Sequence, residues 1–520
     1  MDLRYILSMN KKIRYCGVLL HPTSLPSKHG IGDLGDSALQ FVDFLEQAQM
    51  GMWQVLPLGP VGFGNSPYAS RSAFAGNELL IDLDSLATLG YLDLEELFLL
   101  PHFPARTVDF ASVEQFKRPL LHKAAINFLR TADQNSRLAY EEFCSKQAFW
   151  LDDYALYAAL CDYHSDTRWY QLWDKSLAKR TKSALSAWNK KLEKEVSIYK
   201  VLQFFFNEQW LRLRRHANAK GISIIGDIPI FVAHDSADAW CNKEYLKMDA
   251  LGNLSAISGV PPDAYSATGQ LWGNPVYDWK AIEKDDFTWW VHRIRRVLEM
   301  TDIIRIDHFR GFESYWEVPA GELTAEHGAW VPAPGQKLFE VLRASLGELP
   351  IFAEDLGVIT EEVEALRDAQ GLPGMKVAQF AFALGEDGFL DAQNQYLPHN
   401  YAYETVAYTG THDNDTTKGW YRSLDERLRD MVRRYLACSD DQVVWHLMRA
   451  VLASGSRHVI IPIQDLLFLD SDARMNLPGT CGSHNWTWRV KQEELTPALA
   501  DSTAMMIRLF GRTGKGLWLN

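Results

Sequence analysis

The chain has 520 residues, more than an ordinary single domain, so one large barrel with insertions or two to three domains are the architectures to weigh. A hydrophobic content of 47% excludes a disordered chain. With 53 Lys+Arg against 66 Asp+Glu, the net charge of −13 disfavours attraction to nucleic acid or an anionic membrane and suits a neutral substrate.

Short apolar runs recur along the chain, each ending in polar, Gly or Pro residues. The first is "CGVLLHPTSLP" (16–26). A helix should follow, capped by Asp36 or Ser37, with Phe41, Val42, Leu45 and Ala48 on one face and Gly51 placed to end it. The second run is "WQVLPLGP" (53–60). Residues 83–200 then read as a helical subdomain inserted between strands two and three. Leu120, Ala124 and Phe128 recur at helical spacing there, and Pro119 suits a first turn. A helix over roughly 198–219, presenting Leu202, Phe205, Phe206, Trp210 and Leu213, leads through Gly221 into "ISIIGDIPIFV" (222–232). Residues 233–280, rich in Gly, Pro, Ser and Asn, read as a long ordered loop region of the kind that forms lids. The remaining runs are "IIRIDHFRG" (303–311), "IFAEDLG" (351–357), "MKVAQFAFA" (375–383), "AYTGTHDND" (407–415) and "HVIIPIQDLL" (458–467).

Continuous apolarity marks strands covered on both faces, as in parallel sheets. Eight such strands alternating with helices fit an α/β fold of the (β/α)8 TIM-barrel type with helical and loop insertions, spanning 1–520 as one catalytic barrel; a doubly wound sheet has the same alternation. The six cysteines are scattered with no CxxC pair, which disfavours a structural zinc site and a disulfide framework. The N-terminal stretch lacks an apolar core of signal-peptide length and no apolar run approaches the length of a membrane span, so a cytoplasmic protein without membrane contact is expected.

Barrel enzymes carry catalytic groups where strands end. Asp307 follows "IIRI", Glu354 follows "IFA" and Asp413 follows "YTGTH", with Asp355 and Asp415 as near neighbours that pattern alone does not exclude. Alternation puts Ile303, Arg305 and Asp307 on one strand face, so Arg305 can sit beside Asp307 and hold it ionised. Glu354 lacks a basic neighbour in sequence and follows an apolar run, a setting that keeps a carboxyl protonated. One ionised and one protonated carboxyl are the working parts of glycosidic-bond chemistry. His308 and His412 are expected as hydrogen-bonding residues; a metal-dependent barrel hydrolase built on them is the competing reading.

At these residues the sequence closely resembles the amylomaltase family of 4-α-glucanotransferases, relatives of the α-amylase barrel clan. The resemblance is carried by "GVLLHPTSLPSKHGIGDLG" (17–35), "WQVLPLGPVGFGNSPYASRSAFAGN" (53–77), "IIGDIPIFVAHDSADAW" (224–240), "GVPPDAYSATGQLWGNPVYDW" (259–279), "IIRIDHFRGFESYWEVP" (303–319), "IFAEDLG", "GTHDNDT" (410–416) and "NWTWR" (485–489). It implies Asp307 as nucleophile, Glu354 as acid/base and Asp413 as transition-state stabiliser. It implies substrate contacts by Tyr68, Asp227, Arg305, His308 and His412 at the donor sugar. Gln270 and Trp272 would lie in a loop over the acceptor side, with Asp263 and Asn274 as supports, and Asn485 would also face substrate. The implied activity is retaining transfer of α-1,4-glucan segments between maltooligosaccharides or glucans, with glucose as an acceptor. No metal or cofactor, no nucleic acid, and a monomer or weak homo-oligomer are expected. An α-glucan hydrolase, or a silent glucan-binding protein, on the same scaffold are the alternatives.

Overall fold

The computed structural model describes residues 13–262 and 266–516. In chain order its strands are β1 (Tyr15–Leu19), β2 (Met52–Gln54), β3 (Ser223–Ile228), β4 (Ala256–Val260), β5 (Gln270–Pro275) and β6 (Ile303–Ile306). They continue with β7 (Ser314–Pro319), β8 (Ala329–Pro332), β9 (Ile351–Ala353), β10 (Gly374–Val377), β11 (Thr405–Tyr408) and β12 (His458–Pro462). Eight of these form a closed barrel in the order β1-β2-β3-β6-β9-β10-β11-β12, every neighbouring pair parallel. Each of the eight apolar runs in the sequence supplies one barrel strand. The strands are buried on both faces, with only Lys376 of β10 half-buried, which is why the runs are continuous rather than alternating.

The helix after β1 spans Asp36–Gln47 and buries Phe41, Val42 and Leu45 as the periodicity predicts. Its N-cap is Gly35 rather than Asp36 or Ser37; Asp36 stands in the first turn, where an acid meets the positive helix end. The helix ends not at Gly51 but through Gln49, which takes the left-handed conformation at φ 58. Gly51 serves a close approach instead: a Cβ there would lie 2.2 Å from the carbonyl of Gly514.

Between β2 and β3 lie long helices, Phe110–Thr131, Gln134–His164 and Glu193–Ala219. Asp109 and Asp133 cap the first two by accepting from Ser112 and Ser136 amides. Pro119 falls inside the first helix and not at its start, so that helix lacks one backbone donor at mid-length. Phe128 locks these helices together, packing against Tyr91, Tyr140, Phe204 and Phe205. The same apolar core runs on without a break into the barrel strands. Among the described residues no helix is long and apolar enough to cross a membrane.

A second sheet, β5-β4-β7-β8, is antiparallel. Two of its strands, β4 and β5, come from the stretch that composition marks as loop. Glycine and proline content hid them, because short antiparallel strands with one face open need little apolar sequence. β7 begins directly after the turn that leaves β6, so this sheet stands at the end of the barrel where the strand-terminal acids lie.

Candidate active site

Register decides what β6 places in the site. Asp227 of β3 and Arg305 of β6 are direct cross-strand partners, so their side chains project on the same side. Arg305 Nη1 lies 2.9 and 2.7 Å from the two Asp227 oxygens, and its Nη2 lies 2.9 Å from Asp307 Oδ1. The guanidinium is thus shared by two acids. The Asp227 side chain is fully buried and that of Arg305 is 4% exposed, whereas Asp307 is 28% exposed and faces open space. Burial works against the Arg305 charge, but Asp227 and then Asp307 carry its pKa well above the ordinary value. The contact between Arg305 and Asp307 that the alternation predicts is present, with Asp227 as the nearer partner.

The chain leaves β6 through His308, a left-handed residue at φ 50. In this turn the His308 amide donates to Glu354 Oε2 at 2.7 Å, while the Leu356 amide donates to Oε1 at 3.0 Å. Two backbone donors fix the carboxyl beside Asp307. Burial, reinforced by the negative charge of Asp307, pushes the Glu354 carboxyl up to about 8 despite Arg305 and those two bonds. It is therefore protonated at neutral pH, as its apolar approach strand predicts.

Asp413 lies 3.4 Å from His412 Nε2 and accepts from Asn476 Nδ2 at 2.6 Å; its carbonyl accepts from Arg474 at 2.6 Å. Its side chain is 45% exposed. The neighbouring acids are tied into the scaffold. Asp355 is buried against Arg367 and accepts from the Met375 amide, and Asp415 accepts from Ser471 and Thr416.

Tyr68 donates to Asp227 Oδ2 at 2.6 Å and stacks on His412, ring centroids 5.1 Å apart at 18°. Burial pushes His308 down to about 4 against the pull of Asp307, and it lowers His412 against Asp413, so both imidazoles are neutral. His308 Nε2 and His412 Nδ1 are buried with no hydrogen-bond partner among the described residues. Trp272, 38% exposed on β5, meets His308 edge-on at 4.8 Å. Gln270 accepts from the Trp272 indole at 3.4 Å and Asn274 donates to the Val232 carbonyl at 3.0 Å, so both brace this strand, which is not the loop expected from sequence. The Asn485 amide is spent within its own loop, on Leu477 and Thr480. Asp263 lies outside the described residues.

Sequence reasoning missed Trp486, which lies 5.8 Å from Tyr68 and 5.9 Å from His412, and Asn476, which holds Asp413. Their signal is the polar, Gly-containing stretch after β12, which returns over the strand ends. Among the described residues the only His, Cys, Asp and Glu side chains grouped closely enough to share a cation are His29, Asp33 and Asp82. They lie apart from His308 and His412, and the buried Lys117 already sets its charge against Asp33 and Asp82.

A family model described as 4-alpha-glucanotransferase, glycoside hydrolase family 77, matches residues 20–496. The 4-alpha-glucanotransferase of Synechocystis is 48% identical over 503 residues, covering 96% of this chain and 98% of the relative. That of Thermus thermophilus is 48% identical over 492 residues, covering 93% and 96%. The solved amylomaltase of Streptococcus agalactiae in complex with acarbose superposes with a TM-score of 0.92 at 38% identity, covering 96% of this chain and 99% of that one. The chain belongs to the 4-alpha-glucanotransferase family, the amylomaltases of glycoside hydrolase family 77.

Proposed function

We infer that this 4-α-glucanotransferase transfers α-1,4-glucan segments from a donor chain to the 4-hydroxyl of another maltooligosaccharide or of glucose. The observation that supports the chemistry best is one turn. The residue following Asp307 holds Glu354 through its amide, so a solvent-facing carboxylate and a protonated carboxyl are fixed side by side. Asp307 attacks the anomeric carbon as the Glu354 proton passes to the departing glycosidic oxygen. The covalent glycosyl-Asp307 ester is then displaced by the acceptor 4-hydroxyl, whose proton returns to Glu354, with net retention. Asp413 stabilises the positive charge that develops on the sugar ring, and the neutral nitrogens of His308 and His412 are free to bond sugar hydroxyls. Arg305 and Tyr68 orient Asp307 and Asp227.

Residues 83–200 serve as a helical subdomain inserted between the second and third barrel strands, and 233–280 as a region that covers the acceptor side and limits water entry. Six free cysteines fit a reducing, cytoplasmic setting. Incubation with maltotriose tests the reading: glucose and longer maltooligosaccharides should accumulate together. Reducing-end gain without longer products would establish a hydrolase instead.

A further inference from the structure

Away from the acids, a second cavity of about 60 Å³ opens between segment 60–79 and the three long helices of the insert, room for several waters or one small molecule. Its acidic lining is already engaged. Arg118 Nη2 lies 2.8 Å from Glu114 and its Nη1 2.7 Å from Asp162. Asp162 also accepts from Tyr199, and Glu78 accepts from Tyr154 at 2.5 Å and Gln203 at 2.8 Å.

Two donors remain. The half-buried Arg71 lines the cavity, and among the described residues its guanidinium makes no ion pair or hydrogen bond; its Nε is buried with no partner. Asn77 is 2% exposed; its Oδ1 accepts from the Leu79 amide at 3.0 Å, and its Nδ2 is buried with no partner. A buried guanidinium N–H and a buried amide N–H both cost free energy when unpaired. Both are donors, and a guanidinium presents a fork that matches a planar or tetrahedral oxyanion.

We propose that this cavity is a binding site for a small oxyanion, a phosphate or carboxylate group, held by Arg71 and Asn77. Arg118, between Glu114 and Asp162, keeps those two carboxylates from opposing the ligand. Burial raises the Glu78 carboxyl above its ordinary range, against the bonds from Tyr154 and Gln203 and the charge of Arg118. Arg71 lies three residues beyond Tyr68, so the ligand would rest against the same segment that carries Tyr68 into the active site.

The test uses the whole protein with acarbose present to occupy the catalytic site. Inorganic phosphate, glucose 1-phosphate and acetate are titrated by calorimetry, with sodium chloride at matched ionic strength as control. At least one oxyanion should bind saturably. Arg71→Gln should weaken it by about tenfold or more, the loss expected for a charge-assisted bond. Asn77→Asp, which keeps the acceptor for the Leu79 amide and removes the donor, should weaken it too. Tighter binding of glucose 1-phosphate than of phosphate would identify a sugar phosphate as the occupant, and the reverse order the free ion. Both variants should retain disproportionation of maltotriose, which reports that they are folded. No saturable response beyond chloride, or undiminished binding in both folded variants, would overturn the site without touching the transferase reading.

Discussion

The backbone amide of His308 donates to Glu354 Oε2 at 2.7 Å, so the position of the Glu354 carboxyl is set by the main chain that carries Asp307. Asp307 and His308 are consecutive, and a shift of this turn moves both acids together. The bond favours the ionised form of Glu354, yet burial and the Asp307 charge outweigh it. The pair is therefore poised with one carboxyl open to solvent and the other protonated.

The pH dependence of transfer follows. With its carboxyl pushed to about 8, Glu354 can act as an acid below that pH and loses its proton above it. The kcat/KM for maltotriose should fall as pH rises through about 8. A profile flat to pH 10 would separate Glu354 from the acid step.

Glu354→Gln should lower transfer by roughly 10²- to 10⁴-fold, the usual contribution of a positioned acid. Stability should respond in the opposite sense. The folded carboxyl has a raised pKa, so its neutral form favours the native state fully below 4.5, and this advantage is lost as pH climbs to about 8. Relative to the parent, Glu354→Gln should gain stability between pH 5 and about 9; denaturant unfolding at the two pH values measures the difference.

Asp307→Asn keeps the shape and removes the negative charge. Glucan binding, read by calorimetry, should persist while maltotriose turnover disappears. Persistent transfer at the parent rate would remove Asp307 as the nucleophile.

Arg305 separates two acids in a buried setting. Arg305→Ala would leave Asp227 fully enclosed without a counter-charge, at a cost of about 3–5 kcal/mol in unfolding free energy. Adding Asp227→Asn should recover part of that loss. Tyr68→Phe should cost less, about 1–3 kcal/mol, because the ring stays stacked on His412 and the losses are the 2.6 Å bond to Asp227 and the long 3.5 Å contact from Arg305 Nη1.

Trp272 tests the proposal that 233–280 covers the acceptor side. Its ring stands on β5 against His308, so Trp272→Ala opens that edge to water. The ratio of reducing-end gain to longer products from maltotriose should rise; an unchanged ratio would move acceptor control elsewhere.

The barrel was legible because each strand is buried on both faces and therefore reads as one continuous apolar run. The second sheet was not, since β4 and β5 are short and partly exposed. Pro119 misled for a physical reason: proline suits a first turn because its missing donor costs nothing there, and here the packing around Phe128 holds the helix despite that missing donor at mid-length. At the site, the acids at strand ends could be picked out, and the contact of Arg305 with Asp307 follows from alternation. The partnership of Asp227 with Arg305 could not be read, because it depends on β3 and β6 becoming neighbours in register. Asn476 holds Asp413 from a return loop whose direction no local pattern encodes.

The closure of the barrel has a kinetic consequence. Tyr15 of β1 pairs with His458 of β12, and β2 pairs with β3 across the long helices that separate them in sequence. These are contacts of very large sequence separation, the kind that form late in folding. While the chain is being synthesised, the helices of the insert can gather around Phe128, but β1 keeps an unpaired edge until the ribosome has released β12. Asp413, on the turn after β11, can be held by Asn476 from beyond β12 only when the circle is nearly complete. Bond-breaking capacity should thus appear at the very end of folding, after most of the helical signal has already formed.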